Sequence, residues 1–194
     1  MNDMTQQQFN SLFFQAKKMM LTTKDINHNW AHLERVAANA LKIKSLLSAD
    51  SQSRTDDKIL ILAAVWHDIS YAFCRAGFIQ YLLEGRRSRK IVNQYFQAAN
   101  LDPQEAKLIA DIIVHHTFNN FGATNRKRSF YHQIIQDADT FEMLNKERLK
   151  TATAAAKHSF YWFVAIKILK PVFFVFFLRF KSYFLNLKES AEIF

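Results

Sequence analysis

The chain has 194 residues and a mass of 22.7 kDa, enough for one domain, or one domain with an extension, to bury a core without disulfide or metal staples. Three Gly and two Pro exclude a turn-dense all-β sandwich and a disordered chain, and no dinucleotide-binding fingerprint or Walker loop is present. The single Cys74 excludes an internal disulfide framework and a CxxC zinc site, while 26 basic against 17 acidic residues leave a net charge of +9.

Thr5-Gln6-Gln7-Gln8 has the form of a capping box, and a helix follows from about Gln6 to Met20 with Phe9, Leu12, Phe13, Ala16 and Met20 on one stripe. Residues 25–29 are polar and turn-like. A second helix is expected from about Trp30 to Leu47, with Leu33, Val36, Ala37, Ala40, Ile43 and Leu47 inward, and 48–54 reads as a polar loop. The helix that starts at Asp56 or Asp57, KILILAAVWHDIS, is apolar nearly all round and is therefore central. Residues 72–86 are too weakly patterned for an assignment, and a helix is expected from about Arg87 to Ala99. Asp102-Pro103-Gln104-Glu105 starts the next, which ends near Thr117. Residues 118–129 form a loop. A further helix begins near Phe130, and helical propensity continues to about Leu169, where Pro171 interrupts. The expected fold is all-α.

Metal-binding groups fall at four places in otherwise apolar helices: His32, the pair His67-Asp68, the pair His115-His116, and Asp137 with Asp139. A lone His on a helix is more often a packing residue than a ligand. An Asp among apolar residues is harder to dismiss, because an unpaired buried carboxylate costs several kcal/mol. Asp68 follows ten mostly apolar residues and so favours a partner.

Taken together, His…His-Asp…Asp in that order over several helices resembles the HD superfamily of metal-dependent phosphohydrolases. DINHNWAHLERVAANA looks like the first helix of that family, LILAAVWHDIS like its signature helix, and DADTFEML like its closing Asp motif, with Glu142 in the second acidic position. The resemblance covers roughly residues 20–145 and implies an HD-domain helical bundle over 1–145, followed by a C-terminal extension, 146–194. It also implies His32, His67, Asp68 and Asp139 as metal ligands. Asp137 rivals Asp139 for the last place, or orients a His. Such a donor set suits Mn²⁺, Mg²⁺, Co²⁺ or Fe²⁺.

The reaction expected is cleavage of a phosphate ester by metal-activated water, with Asp68 and His116 as catalytic residues. His116-Thr117-Phe118 looks like the His-Ser-Phe step of some small bacterial HD phosphohydrolases, so His116 would contact substrate phosphate or act as a general acid. Arg35, in the LERV motif, is a candidate for phosphate binding or for pairing with an acid on a neighbouring helix. Arg86, Arg87, Arg89 and Lys90 are placed to open a helix, so Arg86 and Arg89 are candidate phosphate binders; Arg126-Lys127-Arg128 has the same ambiguity with a solvated basic face. No His lies between Asp68 and His115, so the complete second metal site of the two-metal families is not expected. The substrates of better-characterised HD groups do not transfer. Residues 69–72 hold no carboxylate, unlike the (p)ppGpp hydrolases and the deoxyribonucleoside 5′-monophosphatases, and the Gly-Tyr-Pro of the cyclic-di-GMP phosphodiesterases is missing. A nucleotide or another small phosphorylated metabolite is expected, in the cytoplasm. The alternative is a catalytically weak HD-fold binding or scaffold protein.

Residues 143–194 carry nine basic and three acidic side chains. From Phe160 the chain is rich in Phe but interrupted by Lys167, Lys170, Pro171 and Arg179, so no clean bilayer span exists. Three readings stand for this extension: helices packed on the bundle, a homodimer interface, or a peripheral membrane helix at the inner face of the membrane. No nucleic-acid polymer is expected, since the Phe residues are too contiguous for spaced stacking platforms.

Overall fold

A computed structural model of the chain describes residues 4–116, 129–143, 145–155, 157 and 163–164. Among these residues the secondary structure is helical and contains no strand. The chain divides into two units, Met1–Asn145 and Lys146–Phe194.

In the first unit, α1 (Gln6–Met20) opens on the capping box. The Thr5 hydroxyl accepts the Gln8 N–H, and the Gln8 side chain accepts the Thr5 N–H. Helix α2 (Trp30–Ser45) buries Leu33, Val36, Ala40 and Ile43 between α4 and α7, described below. The expected loop at 48–54 contains a short helix, α3 (Ala49–Ser53), because the Ser48 hydroxyl accepts the Ser51 N–H and caps it.

Helix α4 (Asp57–Trp66) is the central element. Leu60, Leu62, Ala63, Ala64, Val65 and Trp66 are fully buried, as an all-round apolar sequence requires, and α1, α2, α6 and α7 pack around it. It stops earlier than expected, at Trp66. His67 and Asp68 lie where it gives way to a 3-10 turn, Ile69–Ala72.

Helix α5 (Phe78–Ala98) corrects the expectation most. It starts at Phe78, not at Arg87, and turns its polar residues inward: Gln80, Glu84 and Ser88 are buried while Phe78, Ile79 and Leu82 are exposed. This inverted amphipathicity is the reason for the missing signal at 72–86. Helix α6 (Pro103–His115) begins as expected, with the Asp102 carboxylate accepting the Gln104 and Glu105 N–H groups. Helix α7 (Phe130–Met143) starts where expected and ends before Asn145, whose N–H reaches back to the Glu142 carbonyl. In the second unit, α8 (Lys146–Ala155) is therefore a separate helix. The loop expected at 118–129, except Ser129, and most of the tail from Phe160 lie outside the described residues.

Candidate metal centre

Five elements send polar side chains to one buried point. On α2, Asn29 caps the helix by accepting the His32 N–H, which places the His32 ring one turn in. The end of α4 supplies His67 and Asp68, and α7 supplies Asp139. His32 Nε2 lies 3.3 Å from His67 Nε2 and 3.4 Å from Asp68 Oδ2. Asp139 Oδ1 is 3.5 Å from His32 Nε2 and 3.9 Å from His67 Nε2. Asp139, not Asp137, is thus the α7 carboxylate brought to the His pair. Burial alone pushes Asp137 up to about 6.

The hydrogen bonds behind the rings decide what this cluster is for. His32 Nδ1 donates to Glu142 Oε2 at 2.7 Å, and His67 Nδ1 donates to the Ala64 carbonyl at 2.6 Å. With both protons on Nδ1, the two Nε2 lone pairs face each other beside two carboxylates. Four electron-rich atoms at this spacing repel unless a cation stands between them, and separations of this size suit bonds of about 2.0–2.2 Å to a divalent ion. The donors therefore fit a metal. Without one, a proton takes its place. Burial opposes charge on His67, but Asp68 and then Asp139 outweigh it and lift the imidazole to about 9. Burial likewise opposes charge on Asp68, yet His67, His116 and His32 hold it well below 3.8.

His116 joins from the end of α6. Its Nδ1 donates to the Ile113 carbonyl at 2.6 Å, while Nε2 lies 3.7 Å from Asp68 Oδ1 and 3.9 Å from Glu84 Oε1. Burial works against its charged form, but the contact with Asp68 outweighs it and raises the imidazole above 6.5. Glu84, from the polar face of α5, is the site residue that sequence reasoning missed. It is 4 % exposed, and burial, with Asp68 adding to it, pushes it up to about 8. The Tyr71 hydroxyl donates to Glu84 Oε2 at 2.7 Å, and the Tyr71 ring stacks on His28 at 3.9 Å. Asp68, Glu84 and His116 offer ligand atoms within 4.8 Å of one another, as do His32, His67 and Asp68. A carboxylate thus lies beside Asp68 and His116 although 69–72 hold none, and it comes from α5. Its signal was the stripe Gln80, Glu84, Ser88, three polar residues at helical spacing on one face.

The arginines divide. Arg35 holds Glu142 Oε1 through Nε and Nη2, both at 2.7 Å, so it pairs with the acid of a neighbouring helix and steadies the carboxylate behind His32. Glu142, rather than Asp137, is the residue that orients a His. Arg86 and Arg89 are exposed in the middle of α5, so the helix N-terminus invoked for them lies elsewhere, at Phe78. Arg87 donates to Gln80, which in turn donates to Ser70 Oγ at 2.7 Å and fixes the turn after Asp68. Residues 126–128 lie outside the described residues.

These observations agree with a comparison of sequences: a family model described as the HD domain matches residues 29–144. The chain belongs to the HD-domain family. The family is one of metal-dependent phosphohydrolases, and the matched HD segment encloses the whole cluster from His32 to Glu142. Comparisons of this HD protein with curated proteins and with solved structures gave no match.

Proposed function

We propose that the protein is a phosphohydrolase that uses a bound Mn²⁺, Mg²⁺, Co²⁺ or Fe²⁺ to cleave a phosphate ester of a nucleotide or another small phosphorylated metabolite. The observation that supports this reading is the facing pair of Nε2 atoms on His32 and His67, closed by Asp68 and Asp139. A divalent ion held by His32, His67, Asp68 and Asp139 would supply Lewis-acid chemistry, activating water and polarising a phosphoryl oxygen.

The chain's own residues do the remainder. His116, buried beside Asp68, whose carboxylate favours its charged form, can bind a phosphate oxygen or pass an Nε2 proton to the leaving oxygen. Glu84 stands within reach of both Asp68 and His116, its orientation set by Tyr71, and holds or accepts a proton at the same point. Glu142 keeps the His32 proton on Nδ1, so that His32 presents its lone pair inward.

The test is phosphate release from a panel of nucleotides with Mn²⁺, Co²⁺ or Mg²⁺, comparing the native protein with Asp68→Ala. Metal-dependent release that falls to background in the variant is expected. A native protein that binds metal stoichiometrically yet releases nothing would instead favour the binding or scaffold reading. That alternative drew on the missing carboxylate after Asp68, and the carboxylate of Glu84, brought beside Asp68 from α5, supports the enzyme reading instead. For residues 160–194 we propose peripheral contact with an anionic membrane surface, supported by the +6 charge of residues 143–194 and the run of Phe side chains, with helices packed on the bundle and a homodimer contact as its competitors. Among the described residues, no helix is long and apolar enough to cross a membrane.

A further inference from the structure

The neighbours His115 and His116 part company at the end of α6. His116 enters the HD centre, whereas His115 turns to a different set of groups. One turn back on the same helix is Asp111, with Oδ1 3.4 Å from His115 Nδ1. Across from it on α7 is His132, whose Nε2 lies 3.2 Å from Asp111 Oδ2. Each of the three offers a ligand atom within 4.8 Å of the others, and none belongs to the HD centre. The His115 and His132 rings are 6.0 Å apart.

The hydrogen bonds repeat the pattern of the first site. His115 Nδ1 donates to the Asp111 carbonyl at 2.8 Å, and His132 Nδ1 is engaged by Ser129 Oγ at 2.7 Å. The oxygen on Nδ1 leaves His132 Nε2, already beside Asp111, as its metal-binding nitrogen, as outer-shell partners do for ligating His. On His115, by contrast, the nitrogen beside the Asp111 carboxylate is Nδ1, which can bind an ion once its proton is released. His115 Nε2 has no protein partner among the described residues. Asp111 and His115, four residues apart, share one helix face, so α6 supplies two donors and α7 the third.

We propose that Asp111, His115 and His132 form a second metal site, separate from the HD centre, that takes a late first-row divalent ion such as Zn²⁺. Two imidazoles and one carboxylate exclude a Ca²⁺-type all-oxygen site and match the three-ligand Zn²⁺ sites that keep a fourth position for water. The ion ties α6 to α7, and these helices carry His116 and Asp139 to the HD centre. It therefore acts as a clamp on the geometry of that centre. The inference does not rest on the reaction proposed above.

Zn²⁺ alone is the probe. Equilibrium dialysis with metal analysis is run on the full chain carrying His67→Ala and Asp68→Ala, then on the same chain with His132→Gln or Asp111→Asn added. The first protein binds about one Zn²⁺ per chain, and either added substitution weakens that binding at least ~10-fold. No bound Zn²⁺ in the first protein, or binding that neither substitution weakens, would overturn the proposal. Should circular dichroism show the double variant unfolded, the native chain and its His132→Gln variant are compared instead. A fall from about two Zn²⁺ to about one supports the site, and equal stoichiometry sinks it. In addition, Zn²⁺ raises the melting temperature of the double variant and leaves that of its His132→Gln derivative unchanged.

Discussion

Glu142 touches two bases at once, taking the His32 Nδ1 proton on one oxygen and the Arg35 guanidinium on the other, with only 1 % of its side chain exposed. Removing its charge leaves Arg35 without its anion and loosens the tautomer of His32. We expect Glu142→Gln to weaken Mn²⁺ or Co²⁺ binding about 10–100-fold, read by titration calorimetry. Affinity within a factor of two of native would show that the acid only packs. At this scale much of the site was legible. His32, His67, Asp68 and Asp139 each stand as polar groups inside apolar helical runs, and burial without a partner is too costly to be an accident. Arg35 was legible only as two alternatives, because the LERV motif does not show which acid faces it across the bundle. Glu84 was hidden for a different reason. Its neighbours Leu82 and Leu83 are apolar, and a carboxylate next to them reads as the outer face of a helix, whereas here it is the inner one.

The helix that carries Glu84 shows what the reversal requires. With polar groups inward, the first half of α5 draws little hydrophobic energy from its site-facing stripe, while Val92 and Phe96 anchor the second half in the core. The first half lies close against α6. Gly85 makes that approach possible: a Cβ at this position would stand 2.8 Å from the Val114 carbonyl oxygen and 3.2 Å from Val114 Cα. Both are backbone atoms and cannot swing aside. Gly85→Ala should therefore lower the urea midpoint by an amount equivalent to about 1–3 kcal/mol, the range for overpacking. Because Val114 precedes His115 and His116, the same substitution should reduce phosphate release in the folded fraction. An unchanged midpoint would mean that the two helices are free to separate. The other elements were read with less difficulty. The all-round apolar α4 and the Asp102–Pro103 start of α6 are local signals that tertiary packing reinforces. The end of α4 at Trp66 was not legible, since nothing in the chain marks where an α-helix tightens into a 3-10 turn.

On the scale of the whole chain, charge is the uneven property: residues 1–142 hold 17 basic and 14 acidic side chains, residues 143–194 nine and three. If the extension meets a membrane, its attraction is partly Coulombic and yields to salt, since the screening length falls from about 10 Å at 0.1 M to about 3 Å at 1 M. The intact protein should sediment with vesicles containing phosphatidylserine at low ionic strength and return largely to the supernatant at 1 M salt, while neutral vesicles leave it in solution. Indifference to lipid charge at low salt would remove the membrane reading and leave the dimer contact to be examined by sedimentation velocity. The site itself has a whole-chain consequence of another kind. His32, His67 and His116 come from three segments, yet each has its Nδ1 bonded to an oxygen laid down by the fold. The folded chain thus settles which nitrogen each ring presents before any ion arrives. A divalent ion reaching the site would then meet ring nitrogens that need no change of tautomer to bind it.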